Sequence, residues 1–324
     1  MSFVSLLLAF LLEQIRPLTS GHGLEKVFHA WADWLKHNLD AGDTRHAWMA
    51  WGLAVGIPCL LAAVVHAWLW HALGWLFAMA WNLAVLYATL GFRRFSHHFT
   101  GIRDALAVGD DVLARQLLRE WQGQGDEAMS RTDIVRHLIE CSALAAHRHV
   151  FGVVSWFLLL SALGLGPMGA LLFRLSALLA VHWEAPETEE PAPALVSPRL
   201  QEISQLAWHR VNWLPARLTG LTFAVVGNFE DAVDAWRQQA HLFPDANDGV
   251  VLAATAGAIN VSLGGDQPTH ASPLEDQGSP PPVVPTGGME PVFSHVRSMV
   301  GLVWRAVVMW MLLLALLTLA RWTG

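Results

Sequence analysis

Residues 48–70 read WMAWGLAVGIPCLLAAVVHAWLW, with no Asp, Glu, Lys or Arg. About 20 consecutive apolar residues are what an α-helix needs to cross a bilayer, and tryptophans at both ends suit the membrane–water interface. Three further stretches repeat the pattern: 73–92 (LGWLFAMAWNLAVLYATLGF), 150–173 (VFGVVSWFLLLSALGLGPMGALLF) and 302–320 (LVWRAVVMWMLLLALLTLA). In the last, Arg305 lies near one end, where its head can snorkel to water. The third contains GLGPMG at 164–169, which predicts a broken or re-entrant segment. The first twelve residues, MSFVSLLLAFLL, are apolar but stop at Glu13, too short for a span. They have no basic leader and no small-residue cleavage site, so a partial or interfacial helix is expected rather than a cleaved signal.

Composition agrees with a membrane chain. Of 324 residues, 54% are hydrophobic and 15% charged, against about 25% charged in soluble domains; the mean hydropathy is +0.38. There are 17 tryptophans and one tyrosine, and the only lysines are Lys26 and Lys36. A net charge of −7 argues against a nucleic-acid partner. Cys59 and Cys141 form neither a disulfide framework nor a CxxC pair.

Charge sets the expected orientation. Segment 13–47 carries Arg16, Lys26, Lys36 and Arg45, segment 93–149 carries eight arginines, and residues 71–72 between the first two spans carry none. The positive-inside rule puts 13–47 and 93–149 in the cytoplasm, joined by a membrane hairpin. Segment 184–297, with five arginines and fourteen acids, is too long for the rule.

The expected organisation is a partial helix and hairpin over 1–92, then cytoplasmic helices and a third membrane segment over 93–183. An acidic, Pro-rich linker follows at 184–198, a helical region at 199–264, a Pro-rich low-complexity loop at 265–297 and a terminal span at 298–324. Within 102–121, IRDALAVGDDVLARQLLREW predicts an αα-hairpin broken at Gly109 with Asp110 as cap. Ser130 and Asp133 have capping-box spacing, and His137, Glu140, Leu144 and Arg148 fall on one helical face. Asn228 and Asp231 are expected to cap FEDAVDAWRQQA. GVVLAATAGAINVSLGG (249–265) predicts a small-residue helix that lets another helix or a flat ligand approach closely.

No GxxxxGK[ST] or GxSxG occurs, and no GxGxxG follows a strand. His97 and His98, and His147 and His149, have no HExxH context; adjacent histidines on a helix diverge by 100°, so boundary histidines rather than a metal site are expected. Arg217 is the sharper case. Pro215 suits a first helical turn, so a helix is expected to begin PARLTGLTFAVVG. The dipole there disfavours a cation, which calls for a phosphate, a carboxylate or an acidic neighbour.

Over residues 82–265 these stretches resemble the CobD/CbiB family of late cobalamin synthesis and, more loosely, the AmpE branch of the same superfamily. The resemblance lies in YATLGFRRFSHHFTGIRDALAVGDDVLARQLL (His97 or His98, Gly109, Asp110, Ala114, Arg115), IVRHLIE (Glu140), NWLPARLTGL and HLFPDANDGVVLAATAGAINVSLGG. It implies an all-α, multi-pass protein of the bacterial inner membrane, with the lipid bilayer as partner. The implied reaction joins a corrinoid carboxylate, that of cobyric acid, to aminopropanol or its phosphate, using ATP and Mg2+. Glu140 and Asp110 would then be catalytic; Arg217, His98, Arg115 and Asn212 would bind substrate, and the small-residue helix would lie against the corrinoid ring. Three family stretches rich in Asp and Asn are apolar or altered here: CSALAAHRHVFG, RLSALLAVHW and WQGQGDEAMS. The AmpE-like alternative is a non-catalytic membrane modulator.

Overall fold

A computed structural model describes residues 2–15, 22–122, 129–184, 196–265 and 286–323. The helices are α1 (Ser2–Ile15), α2 (His22–Leu39), α3 (Thr44–Ala72), α4 (Trp75–Thr89), α5 (Phe92–Val108), α6 (Asp111–Gln122), α7 (Arg131–Ala146), α8 (Gly152–Ala162), α9 (Met168–His182), α10 (Pro198–Val226), α11 (Phe229–Gln239), α12 (Ala246–Ile259) and α13 (Phe293–Thr323). A π turn, His147–Phe151, joins α7 to α8, and a 3-10 turn, Ala240–Leu242, follows α11. The described residues contain no strand, only an isolated bridge between Val261 and Met289. The fold is an all-α membrane bundle. Most of the acidic linker and of the Pro-rich loop, and Arg16, lie outside the described residues.

Three described helices are long and apolar enough to cross a membrane: Thr44–Ala72, Arg131–Ala162 and Phe293–Ala320. Three element boundaries differ from those read in the sequence. The 73–92 stretch folds as the fifteen-residue α4, about 22 Å at 1.5 Å per residue, short of a hydrocarbon core of about 30 Å. It is cut at one end by Gly74 (φ 92°) and at the other by the extended Leu90. The apolar stretch expected from 150 belongs to a longer helical run, Arg131–Ala162, which is long and apolar enough to cross a membrane. The GLGPMG break holds: α8 ends at Ala162, Gly164 and Gly166 have φ of 83° and 59°, and α9 starts afresh at Met168. The last helix starts at Phe293, five residues before the expected boundary at 298.

The chain divides into two compact units. One comprises residues 1–91 and 148–215, the other 92–147 and 216–324. In the first, Phe28, Ala32 and Leu35 of α2 pack with Ala47, Ala50 and Ala54 of α3 and with Leu175, Leu179 and Trp183. Beside this core runs a polar seam. Glu25, His29 and Asp33, spaced by four along α2, meet residues of α9: Arg174 lies 3.5 Å from Glu25, and His182 lies 2.8 Å from Asp33. The rings of His29 and His182 are 4.3 Å apart, and Arg174 also donates to His149 Nδ1 at 3.1 Å. Burial, then the neighbouring His182, pushes the His29 imidazole below its ordinary value of 6.5.

Pro215 does not begin a helix; it lies inside the 29-residue α10. A proline there lacks the N–H that would bond the carbonyl four residues back, at Val211. The indole of Trp156 supplies the missing donor, bonding Val211 O at 2.9 Å. The helix therefore runs through, and Arg217 stands mid-helix rather than in a first turn.

The second unit is built around α12. Every residue from Gly249 to Ala258 is buried. A Cβ added at Gly249 would strike the carbonyl of Ala240, and one at Gly257 that of Asp231. The small residues thus let α11 and its 3-10 turn pack onto α12, and they leave no bare face for a flat ring. Residues 217, 220 and 227 of the α10 stretch meet 247, 250 and 258 of α12 in the same order, so those stretches run parallel. Trp310 of α13 donates to Thr222 Oγ1 at 2.9 Å.

Candidate functional site

The second unit holds five of the six residues singled out above; Asn212 is fully buried in the first. The cap signals form as read. Gly109 takes φ 82° and Asp110 Oδ1 accepts from Leu113 N at 2.9 Å, closing the corner between α5 and α6. Ser130 and Asp133 form a full capping box at the start of α7, and Asn228 caps α11. Arg131 fastens α7 to that corner, with one nitrogen on Asp111 and another on the carbonyl of Leu106, both at 2.6 Å. Arg115 is half-buried on α6. His98 is exposed, its ring stacked on Trp121 at 6.0 Å; the side chain of His97 lies outside the described residues.

Two contacts join the remaining candidates to α12, one at each end. At its N-terminal end Arg217 Nη1 donates to Asn247 Oδ1 at 2.9 Å. Asn247 is fully buried, and Asp245 caps the helix by accepting from the N–H groups of Asn247 and Asp248, both at 2.8 Å. Half-burial pushes the Arg217 guanidinium below its ordinary value, yet arginine stays charged. A desolvated cation of this kind favours a bound anion.

Beyond the C-terminal end, Gly264 N donates to Glu140 Oε1 at 2.7 Å. The other oxygen, Oε2, lies 3.1 Å from His137 Nδ1 on the same helix. The segment carrying Gly264 is itself well held. The helix ends in left-handed Asn260 (φ 52°), earlier than the glycine pair that had been expected to end it. Ser262 N then donates to Met289 O at 2.8 Å, Thr286 N to Leu263 O at 2.6 Å, and Leu263 N to Thr286 Oγ1 at 2.7 Å. The ends of the 266–285 stretch are thereby pinned to each other.

Arg217 and Glu140 are accordingly anchored at opposite ends of a fourteen-residue helix, about 20 Å long. Arg136, a possible partner for Glu140 by spacing, bonds Asp133 instead at 2.7 Å. Asp245, Asn247 and the Gly264 N–H were not singled out from sequence. The signal for the first two was present in PDANDG, where an Asp stands just before a helix of small residues. The third is a backbone group and carries no residue-type signature. Among the described residues no three His, Cys, Asp or Glu side chains gather as metal ligands. A Mg2+ here would be one carried on a nucleotide, which needs only one or two carboxylates besides the phosphates; Asp245 and Asp248 flank Asn247.

Comparison with known proteins bears on this arrangement. The family model described as "CobD/Cbib protein" matches residues 6–281. A protein named cobalamin biosynthesis protein CobD from Stutzerimonas stutzeri is 28% identical over 290 residues, 87% of each chain. One of the same name from Chromobacterium violaceum is 32% identical over 188 residues, covering 58% of this chain and 56% of that protein. Another from Leptospira interrogans is 24% identical over 200 residues, 60% of each. No solved structure matches the chain.

Proposed function

The chain belongs to the CobD/Cbib family and takes part in cobalamin biosynthesis, and from that premise we propose that it joins the carboxylate of cobyric acid to aminopropanol, or to its phosphate, as an amide. ATP enters as a substrate with its Mg2+. The carboxylate is activated by the nucleotide, the amine nitrogen attacks the activated carbonyl carbon, and the leaving group departs with the C–O electron pair. The protein works in the bacterial inner membrane as a multi-pass bundle.

The observation that carries this reading is the meeting of the matching stretches. PARL touches PDAND through Arg217 and Asn247, and IVRHLIE touches LGG through Glu140 and Gly264. Stretches distant in the chain come together through their polar residues. In this reading Arg217 holds a phosphate or carboxylate, as a half-buried guanidinium does well. Glu140 and His137 supply the acid–base end that an attacking amine requires. Asp110, Arg115, His98 and Asn212 are carried as family positions of the same reaction.

The test is amide formation itself. A cobinamide-synthesis mutant supplied with cobyric acid should make cobinamide when it expresses this chain, and the purified protein should yield the amide from cobyric acid, Mg-ATP and the amine. Membrane-inserted protein that yields no amide with either amine sinks the enzyme reading.

A further inference from the structure

We propose that His137 is the group that takes the proton from the attacking amine, and that Glu140 is the carboxylate that positions it. The inference rests on the amide-forming reading above and assigns roles within its acid–base end. Glu140 is one of the two acidic residues the family resemblance points to, yet both its oxygens are engaged. Oε1 accepts the Gly264 N–H at 2.7 Å, and Oε2 faces His137 Nδ1 at 3.1 Å.

A carboxylate facing one imidazole nitrogen fixes the tautomer. The carboxylate lies within ion-pairing distance of Nδ1, which favours the hydrogen on that nitrogen and the lone pair on Nε2. That is the division of labour in the serine-protease triad, where the aspartate orients and the imidazole moves the proton. The exposures agree, since the His137 side chain is 22% accessible and that of Glu140 15%.

The support behind the pair is rigid. Gly264 sits in the segment pinned by Thr286 and Met289, and α7 is capped by its Ser130–Asp133 box. On α7 itself Arg136 is bound to Asp133 and Arg131 to Asp111, and on α13 the His295 Nδ1 accepts the Val292 N–H. In the step, the ammonium form of the amine gives its proton to His137 Nε2. The nitrogen lone pair then forms the C–N bond. The activating group leaves with the C–O electron pair and takes up the second proton that the nitrogen sheds as the amide forms, and His137 returns the first proton to solvent.

Three variants of the full-length protein in detergent or vesicles test this. His137→Gln should lower kcat by roughly 10²–10⁴-fold, with KM for ATP little changed, and should abolish the ascending limb of the pH–kcat profile. His137→Gly should be equally slow and should recover activity with added imidazole, the recovered rate tracking the pKa of a series of substituted imidazoles. Glu140→Asp should keep the ascending limb at reduced kcat. Near-normal kcat in His137→Gln, or an ascending limb that survives it and vanishes in Glu140→Asp, overturns the assignment. If His137→Gly does not accumulate, the His137→Gln profile decides alone. An inactive wild-type protein is a different result, because it removes the amide-forming reading and this assignment with it.

Discussion

The seam between α2 and α9 and the surroundings of α12 both bring charged side chains into apolar helical packing, and they use them differently. Along the seam side chain answers side chain: Glu25 with Arg174, Asp33 with His182, and the His29 ring tilted against that of His182. Around α12 the charged groups also engage neutral ones. Arg217 donates to the Asn247 amide, and Glu140 accepts a backbone N–H. A charge compensated by its opposite fastens two helices. One that also engages a neutral dipole is positioned by that dipole without being neutralised by it. The contrast teaches that burial of an arginine does not by itself mark a ligand site; what holds it does.

The strongest challenge to that contrast is to dismantle α12. Gly257→Val should leave little folded protein, because the new side chain collides with the Asp231 carbonyl; overpacking of this kind costs about 3 kcal/mol or more. Accumulation and thermal unfolding of the solubilised protein measure it. Next come the two arginines. Arg174→Met should lower stability by about 2 kcal/mol, since it removes a guanidinium from Glu25 and from His149, whereas Arg217→Ala should alter stability by about 1 kcal/mol and lower kcat/KM by about 10²–10³-fold. The reverse pattern, a stability loss at Arg217 with activity intact, would erase the distinction.

A smaller effect is expected at the helix start. Asp245→Ala removes a cap that accepts two N–H groups and should cost about 1 kcal/mol. Smallest is a pH effect in the seam. His29 has a folded-state value below its free value of 6.5, so below 6.5 the unfolded chain binds the extra proton first. Its contribution is complete above pH 6.5 and is lost as pH falls toward the folded value. His29→Gln should flatten that part of a melting-temperature profile, and an unchanged slope would show that the imidazole is not desolvated.

How much of this was legible depends on the kind of signal. Local chemistry read well. Gly109–Asp110, Ser130–Asp133 and Asn228–Asp231 are caps because their side chains satisfy N–H groups a few residues away. Apolar stretches 48–70 and 302–320 were recognisable because hydrophobic length is a property of the chain alone. What misled was anything decided at a distance. Pro215 signals a helix start only until Trp156, more than fifty residues earlier in the chain, supplies the donor that lets the helix continue. The run of Ala and Gly in α12 licenses close approach by another helix or a flat ligand without saying which, and α11 is the occupant found. At the candidate site, Arg217 and Glu140 were readable as residue types in family-like stretches. Their partners, Asn247 and the Gly264 N–H, depend on which ends of α12 those stretches reach.

The pinned turn after α12 has a practical consequence. Leu263 and Thr286 exchange hydrogen bonds in both directions, so the two ends of the stretch between them are already brought together before its length matters. Doubling such a loop adds only about 0.6 kcal/mol of closure entropy. Lengthening the chain that joins Leu263 to Thr286, with an epitope for example, should therefore cost this closure little.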